Sequence, residues 1–440
     1  MNDYTINLNK VTLFFVLFLS ILPFLNIGSF GVPVLYLLTP IGMFVLLILL
    51  LGKIAIPYVL KPILIICGMI VLEVFLSAFY GSISAFGTFK FPTDSIQYIV
   101  RFLFLISFLI IFYKNKIGAK VFIKYFLIIA NVGMLIGVLQ WIPWAGRLFL
   151  VEMYPFTKVD IQLSHLDRSL HAIRVHGIAQ FATANGGLAT FFFIFAYSVY
   201  KYLNQYKLLS ISLILLSILN IVTSQARAGM LALVFAVILL YLIDVYIYKK
   251  SFKPTIYFSV LIIVVYAFGY SLYQAGNEFV ETIVFRWTEL FKTNGGERTD
   301  QIEYGISLLD SPMDYLFGLS KVFQSQGDLN FFIEVEPVNI LVLYGGLGFF
   351  LQYSLILFIS MYFLKNIKKN INNKEVLVLI IASLVGLLSY QVFSTGYYFY
   401  REIRVGLFPW ILMGVAIGVN EMYKKEEISA NPKKVFYFKS

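Results

Sequence analysis

The chain has 440 residues, 60% of them apolar and only 13% charged, with a mean hydropathy of +0.84 and a formal net charge of +11. A water-soluble domain cannot bury that much apolar side chain, so lipid must be much of its solvent. The positive balance sits in lysines at the ends of apolar runs, as membrane orientation requires, and implies no nucleic-acid partner; the single cysteine, Cys67, excludes an internal disulfide.

A membrane-crossing helix takes about 20 mainly apolar residues. Twelve runs reach or approach that length: 11–28, 33–51, 59–80, 97–113, 121–141, 179–200, 207–222, 229–248, 255–274, 337–364, 375–395 and 404–422. The first has no small-residue cleavage site after it and reads as a retained span, not a signal peptide. Glu73, in the third, is a lone intramembrane acid: either a proton site or the partner of an arginine near the outer face. The run 207–222 is short, and 337–364 is long enough to tilt. The stretches 81–96, 142–178 and 275–336 are too polar to cross. The expected fold is therefore an all-α polytopic membrane protein, a single integral membrane domain over 1–440. It has about twelve transmembrane helices and two long extracytoplasmic loops, 142–178 and 275–336.

Placing the N-terminus in the cytoplasm gathers the lysine clusters on the inner side, in accord with the positive-inside rule, and an even number of spans puts both ends there. With this orientation every basic residue on the inner side is lysine. All nine arginines (Arg101, Arg147, Arg168, Arg174, Arg227, Arg286, Arg298, Arg401 and Arg404) fall outside or near the outer face. Guanidinium is a planar fork of donors that holds phosphate in two places and keeps its charge when partly desolvated. The one-sided arginines thus suggest an anionic ligand at the outer face. Pairing with loop carboxylates or lipid headgroups is the plainer account.

Several stretches concentrate this chemistry. All three histidines, His165, His171 and His176, lie in 162–180 with Arg168 and Arg174. Their spacings of six and five residues are not the i, i+4 pair of a helical metal site, so no metal or cofactor is expected. An imidazole near neutral pH suits a general base, and His176, beside Arg174 and Gly177, is the first candidate. "RVHGIAQFATANGGLAT", 174–190, brings Asn185 to a span that is either broken or closely packed at Gly186 and Gly187. "SQARAGMLAL", 224–233, leaves almost no loop, so Arg227 is held close to hydrocarbon. "ERTDQIEYGISLLDSP" predicts an amphipathic helix with Ile302, Ile306 and Leu309 on one face and Pro312 as its stop. Arg298 lies at its start, where free N–H groups also favour an anion. Glu334 and Glu336 stand where the chain returns to the membrane. There Glu336 is the second candidate base, and pairing of a carboxylate with an arginine is the alternative.

Taken in order, "RVHGIAQFATANGGLA", "TSQARAGMLAL", "ERTDQIEYGISLLDSPMDYLFGLS" and "PVNILVLYGGLGFF" resemble the O-antigen polymerase/ligase superfamily, specifically the Wzy-type polysaccharide polymerases. The resemblance covers roughly 170–350 by motif and the whole chain by span pattern. It implies glycosyl transfer between undecaprenyl-pyrophosphate-linked oligosaccharides at the extracytoplasmic face of a bacterial inner membrane. Arg174, Arg227 and Arg298 would then hold the pyrophosphate, and Arg168, Asn185 and Asn339 would be further substrate contacts. It also implies a chain-length regulator as protein partner, beside membrane lipid. O-antigen ligases carry a histidine before the residue matching Asn339, where this chain has Val338. That departure favours a polymerase over the ligase alternative. A twelve-helix lipid-linked oligosaccharide flippase is the other alternative, and arginine confined to one side speaks against it.

Overall fold

A computed structural model of the chain describes residues 10–27, 30–43, 56–114, 118–154, 174–248, 267–293, 295, 298–321, 333–397 and 405–430. Among them, eight helices are long and apolar enough to cross a membrane. The protein is a membrane-embedded helical bundle. We number the helices that bear on the site: α1 (Lys10–Leu19), α2 (Leu60–Phe86), α3 (Thr93–Lys114), α4 (Ala119–Trp141), α5 (Arg147–Met153), α6 (Ala182–Tyr202), α7 (Lys207–Ser224) and α8 (Arg227–Tyr248). They continue with α9 (Glu278–Lys292), α10 (Arg298–Ser307), α11 (Pro312–Phe317), α12 (Glu336–Ile367), α13 (Lys374–Phe393) and α14 (Leu407–Ala430). The eight candidate spans lie in α2–α4, α6–α8, α12 and α13.

The remaining four expected spans fare differently. The run 11–28 is not one helix: α1 ends at Leu19, and a small antiparallel hairpin follows, strand β1 (Phe24–Ile27) pairing with β2 (Phe30–Pro33). Ser20, whose hydroxyl turns back to the Leu17 carbonyl at 2.5 Å, and Pro23, which has no N–H, interrupt the run. Of 33–51, a short apolar helix, Val34–Met43, is described. Most of 255–274 lies outside the described residues. The run 404–422 forms α14, buried from Leu407 to Val419, but charged residues from Glu421 onward keep its apolar stretch short of a full span.

Lipid offers no hydrophobic drive for helices to associate, so close packing and hydrogen bonds must hold this bundle together. Gly414 and Gly418 bring α14 against the Leu105 and Leu109 carbonyls of α3. Phe122, Phe126, Phe192, Phe195 and Phe408 interlock at its centre, with Phe126 and Phe195 ring centroids 4.6 Å apart.

The span expected over 337–364 bends. Gly345 adopts φ 62° and ψ −172° inside α12, a conformation open to glycine. The carbonyls freed by the bend find new donors: Leu343 accepts from the Ser77 hydroxyl at 2.5 Å and Val342 from the Leu319 amide at 2.8 Å. Gly318, with φ +73°, ends α11 and sits directly on the Tyr344–Gly345 backbone. Pro312 has the opposite role from the one expected. The helix before it ends at Ser307, and Pro312 opens α11 behind a capping box of Ser311 and Asp314. Of the expected apolar face, Leu309 is buried and Ile302 packs half-buried against the Ile333, Val335 and Val342 cluster, while Ile306 is 41% exposed.

Candidate functional site

The turn between α7 and α8 organises the site. Gln225 takes a left-handed conformation (φ 51°), so two residues suffice to reverse the chain before Arg227. Four segments meet there. The Val175 amide donates to the Thr223 carbonyl at 3.1 Å and Arg174 Nε to the Ser224 carbonyl at 3.2 Å. Gly186 lies against Ala226, and Gly396 against Ala228. Thr190 Oγ1 bridges the Gly186 and Gly229 carbonyls, at 3.0 Å each. A β-carbon on Gly229 would stand 2.9 Å from the Gly186 carbonyl carbon. The Asn185-Gly186-Gly187 run is therefore a close helix crossing, and α6 is unbroken through it.

At the head of α8, Arg227 Nη1 donates to the Arg286 carbonyl at 2.7 Å. Arg298, at the start of α10, donates through Nη2 to Glu334 Oε2 at 2.7 Å and to the Gly396 carbonyl at 3.0 Å. Arg227 lies within electrostatic range of both Arg298 and Glu334. The side chains of Arg298 and Glu334 remain 23% and 36% exposed, so solvent reaches the cluster. Two guanidiniums against one carboxylate leave it net positive, with Arg174 fixed on the adjoining turn. Of the expected arginines, then, Arg227 and Arg298 come together and Arg174 is anchored close by in the chain. Arg168 lies outside the described residues, as do His165 and His171.

The polar candidates occupy other positions. His176 is 3% exposed, and its Nε2 faces Gln140 Nε2 at 3.5 Å. Gln140 also clasps Gly177 from both sides, donating to its carbonyl at 3.0 Å and accepting from its amide at 2.8 Å. Asn185 is fully buried and donates to the Asn220 side chain at 3.0 Å and the Val175 carbonyl at 3.3 Å. Asn339 donates to the Ile333 carbonyl at 3.1 Å, holding the start of α12. These residues act as tethers between chain segments.

Glu336 opens α12. Its amide donates to the Ser394 carbonyl at 2.9 Å, and its carboxylate accepts the Tyr390 hydroxyl. It lines a cavity of about 50 Å³ with Arg101, Tyr98, Gln352 and Tyr353. At about 10–15 Å³ per water, that space holds a few solvent molecules and no sugar ring. Arg101 is 2% exposed and donates to Gln97 Oε1 at 3.3 Å; Tyr98 donates to Gln352 Oε1 at 3.1 Å.

Glu334 was legible as an acid at the membrane boundary, but not as the one that takes Arg298. The clue is the Glu-Val-Glu spacing, since residues two apart in extended chain leave on the same side unless a helix begins between them, as it does here. Arg101 lies buried within α3, and its place inside that apolar run is the sequence signal of an intramembrane charge. Glu73 does not pair with an arginine among the described residues. Its carboxylate abuts Gly348 in the bent helix, and neither oxygen has a hydrogen-bond partner there. No known protein-family model matches this chain, and no curated protein matches it.

Proposed function

We propose that the chain is a membrane glycosyltransferase that polymerises oligosaccharide units carried on undecaprenyl pyrophosphate, at the extracytoplasmic face of the bacterial inner membrane, for an O-antigen or capsule. The observation that carries this reading is that Arg298, far away in sequence, reaches the head of the membrane-crossing helix that Arg227 opens: it donates to the Gly396 carbonyl, and Gly396 lies against Ala228. Glu334 offsets only one of the two guanidiniums, so a further anion is favoured beside them. A diphosphate on a lipid carrier has the right charge and arrives at that depth, and arginine forks grip it in two places.

In the reaction, an acceptor sugar hydroxyl oxygen bonds to the anomeric carbon of the donor. The bond from that carbon to the pyrophosphate oxygen breaks, and its electron pair leaves with undecaprenyl pyrophosphate. Arg227 and Arg298 offset the charge that develops there, with Arg174 as a further contact. The hydroxyl proton passes to a base. We assign Glu336 ahead of His176, because Glu336 borders a cavity that can hold water, whereas His176 is enclosed with Gln140. The sugar itself would lie outside that small cavity, with water carrying the proton inward.

The test is purified protein in lipid vesicles supplied with lipid-linked repeat units. The expected product is a ladder of polymer lengths on lipid. Single transfer to a non-lipid-linked acceptor would instead indicate a ligase, and movement of intact units across the bilayer without new glycosidic bonds would indicate a flippase.

A further inference from the structure

Helix α9 is one that the protein does not bury. None of its fifteen residues is buried, and none belongs to the hydrophobic clusters of the described residues. Yet its sequence, EFVETIVFRWTELFK, is strongly two-sided. Val280, Ile283, Val284, Trp287, Leu290 and Phe291 recur at three- and four-residue spacing and share one face. Glu278, Thr282 and Glu289 lie opposite them, with Phe285, 61% exposed, among them. Phe291 is 79% exposed, and the other five of the apolar face are half-buried. Asn277 caps the helix by accepting from the Val280 amide at 3.2 Å, so its start is defined locally.

Two contacts set its level relative to the membrane. The Phe279 ring lies 6.1 Å from that of Trp141, the last residue of α4, at the depth where indoles anchor. The Arg286 carbonyl accepts from Arg227, the first residue of α8. Both belong to the same end of the bundle: Gln140 holds Gly177, and the neighbouring Val175 is bonded to Thr223 near the end of α7, just before α8. The helix thus lies where two spans leave the membrane.

We propose that α9 is an interfacial helix, lying on the membrane with its apolar face among the lipid acyl chains. The partner is the hydrocarbon and not anionic headgroups. The helix carries Glu278, Glu281 and Glu289 against Arg286 and Lys292, so charge attraction to acidic lipid is lacking and apolar burial must hold it. The membrane itself then seats the Arg286 carbonyl over Arg227. This placement stands whether or not the transferase reading is right.

The experiment uses full-length protein with Cys67→Ala, reconstituted in phosphatidylcholine nanodiscs with and without phosphatidylglycerol. Single cysteines at Val284, Phe291, Thr282 and Glu289 carry spin labels, and collision with oxygen and with a water-soluble nickel chelate is measured. Val284 and Phe291 should lose chelate collisions and gain oxygen collisions relative to Thr282 and Glu289, equally in both lipids. Equal chelate access on both faces, or protection of Phe291 from both quenchers, would overturn the proposal. A lipid-facing pattern seen only with phosphatidylglycerol would overturn the assignment to acyl chains.

Discussion

Glu334 and Glu336 stand two residues apart and serve different surroundings. Glu334 accepts Arg298 at 2.7 Å in the solvent-reached cluster, while Glu336, 4% exposed, accepts Tyr390 inside the bundle. The turn from Glu334 to Glu336 therefore sends one carboxylate to the arginine cluster and the other to the mainly apolar cavity it shares with Arg101.

At Arg227, geometry should matter as well as charge. Arg227→Lys keeps the charge but cannot both hold the Arg286 carbonyl and offer a fork to phosphate. Losing one charge-assisted contact of about 1.5–3 kcal/mol should slow polymerisation roughly tenfold to a hundredfold. A wild-type rate at equal protein level would remove Arg227 from the pyrophosphate site.

The base assignment separates two carboxyl and imidazole variants. Glu336→Gln should reduce the rate by about a hundredfold or more, the usual contribution of a general base. His176→Gln, which preserves a hydrogen-bonding side chain beside Gln140, should keep most of it. Initial polymerisation rates at equal protein level check this, with the loss expected in Glu336→Gln and a near-wild-type rate in His176→Gln. The reverse pattern would return the role to His176.

The crossing of α6 and α8 requires glycine. Gly229→Ala places a methyl 2.9 Å from the Gly186 backbone, and neither side can yield without moving a helix. It should cost about 1–3 kcal/mol, the range for overpacking. Gly68→Ala, whose added carbon meets nothing within 4 Å, should be neutral or slightly stabilising. Thermal unfolding in detergent compares them; equal midpoints would show that the crossing relaxes.

The α11 cap should weaken in acid. Burial alone would raise the Asp314 carboxyl, but hydrogen bonds from Ser311 and Tyr80 outweigh it and hold it below its ordinary value. A depressed carboxyl contributes stability that is present above its unfolded pKa, about 3.9, and is lost as pH falls through the lower folded value. The protection of the 311–317 amides, taken relative to the intrinsic exchange rate at each pH, should therefore fall below about pH 4. Asp314→Asn should exchange faster at neutral pH and lose that acid dependence. Acid dependence unchanged in Asp314→Asn would place the titrating group elsewhere.

The sequence by itself determined the solvent and the helices. Eight spans were legible because each is a continuous apolar run that must satisfy its own backbone in lipid. It also marked Arg227, since a charge at a span's head is costly enough to stand out, and Arg298, at the start of an amphipathic helix. What it did not determine were contacts between distant segments. Only the tertiary structure decided that Arg298 meets Glu334, that Gly186 and Gly229 form a crossing, and that His176 is closed in by Gln140. It also turned Pro312 from a stop into a start, because Ser311 and Asp314 cap the helix beyond it. A one-dimensional pattern records how each segment meets its solvent. Which side chains meet across the bundle depends on helix rotation and on the bend at Gly345, and those are set by packing among segments far apart in the chain.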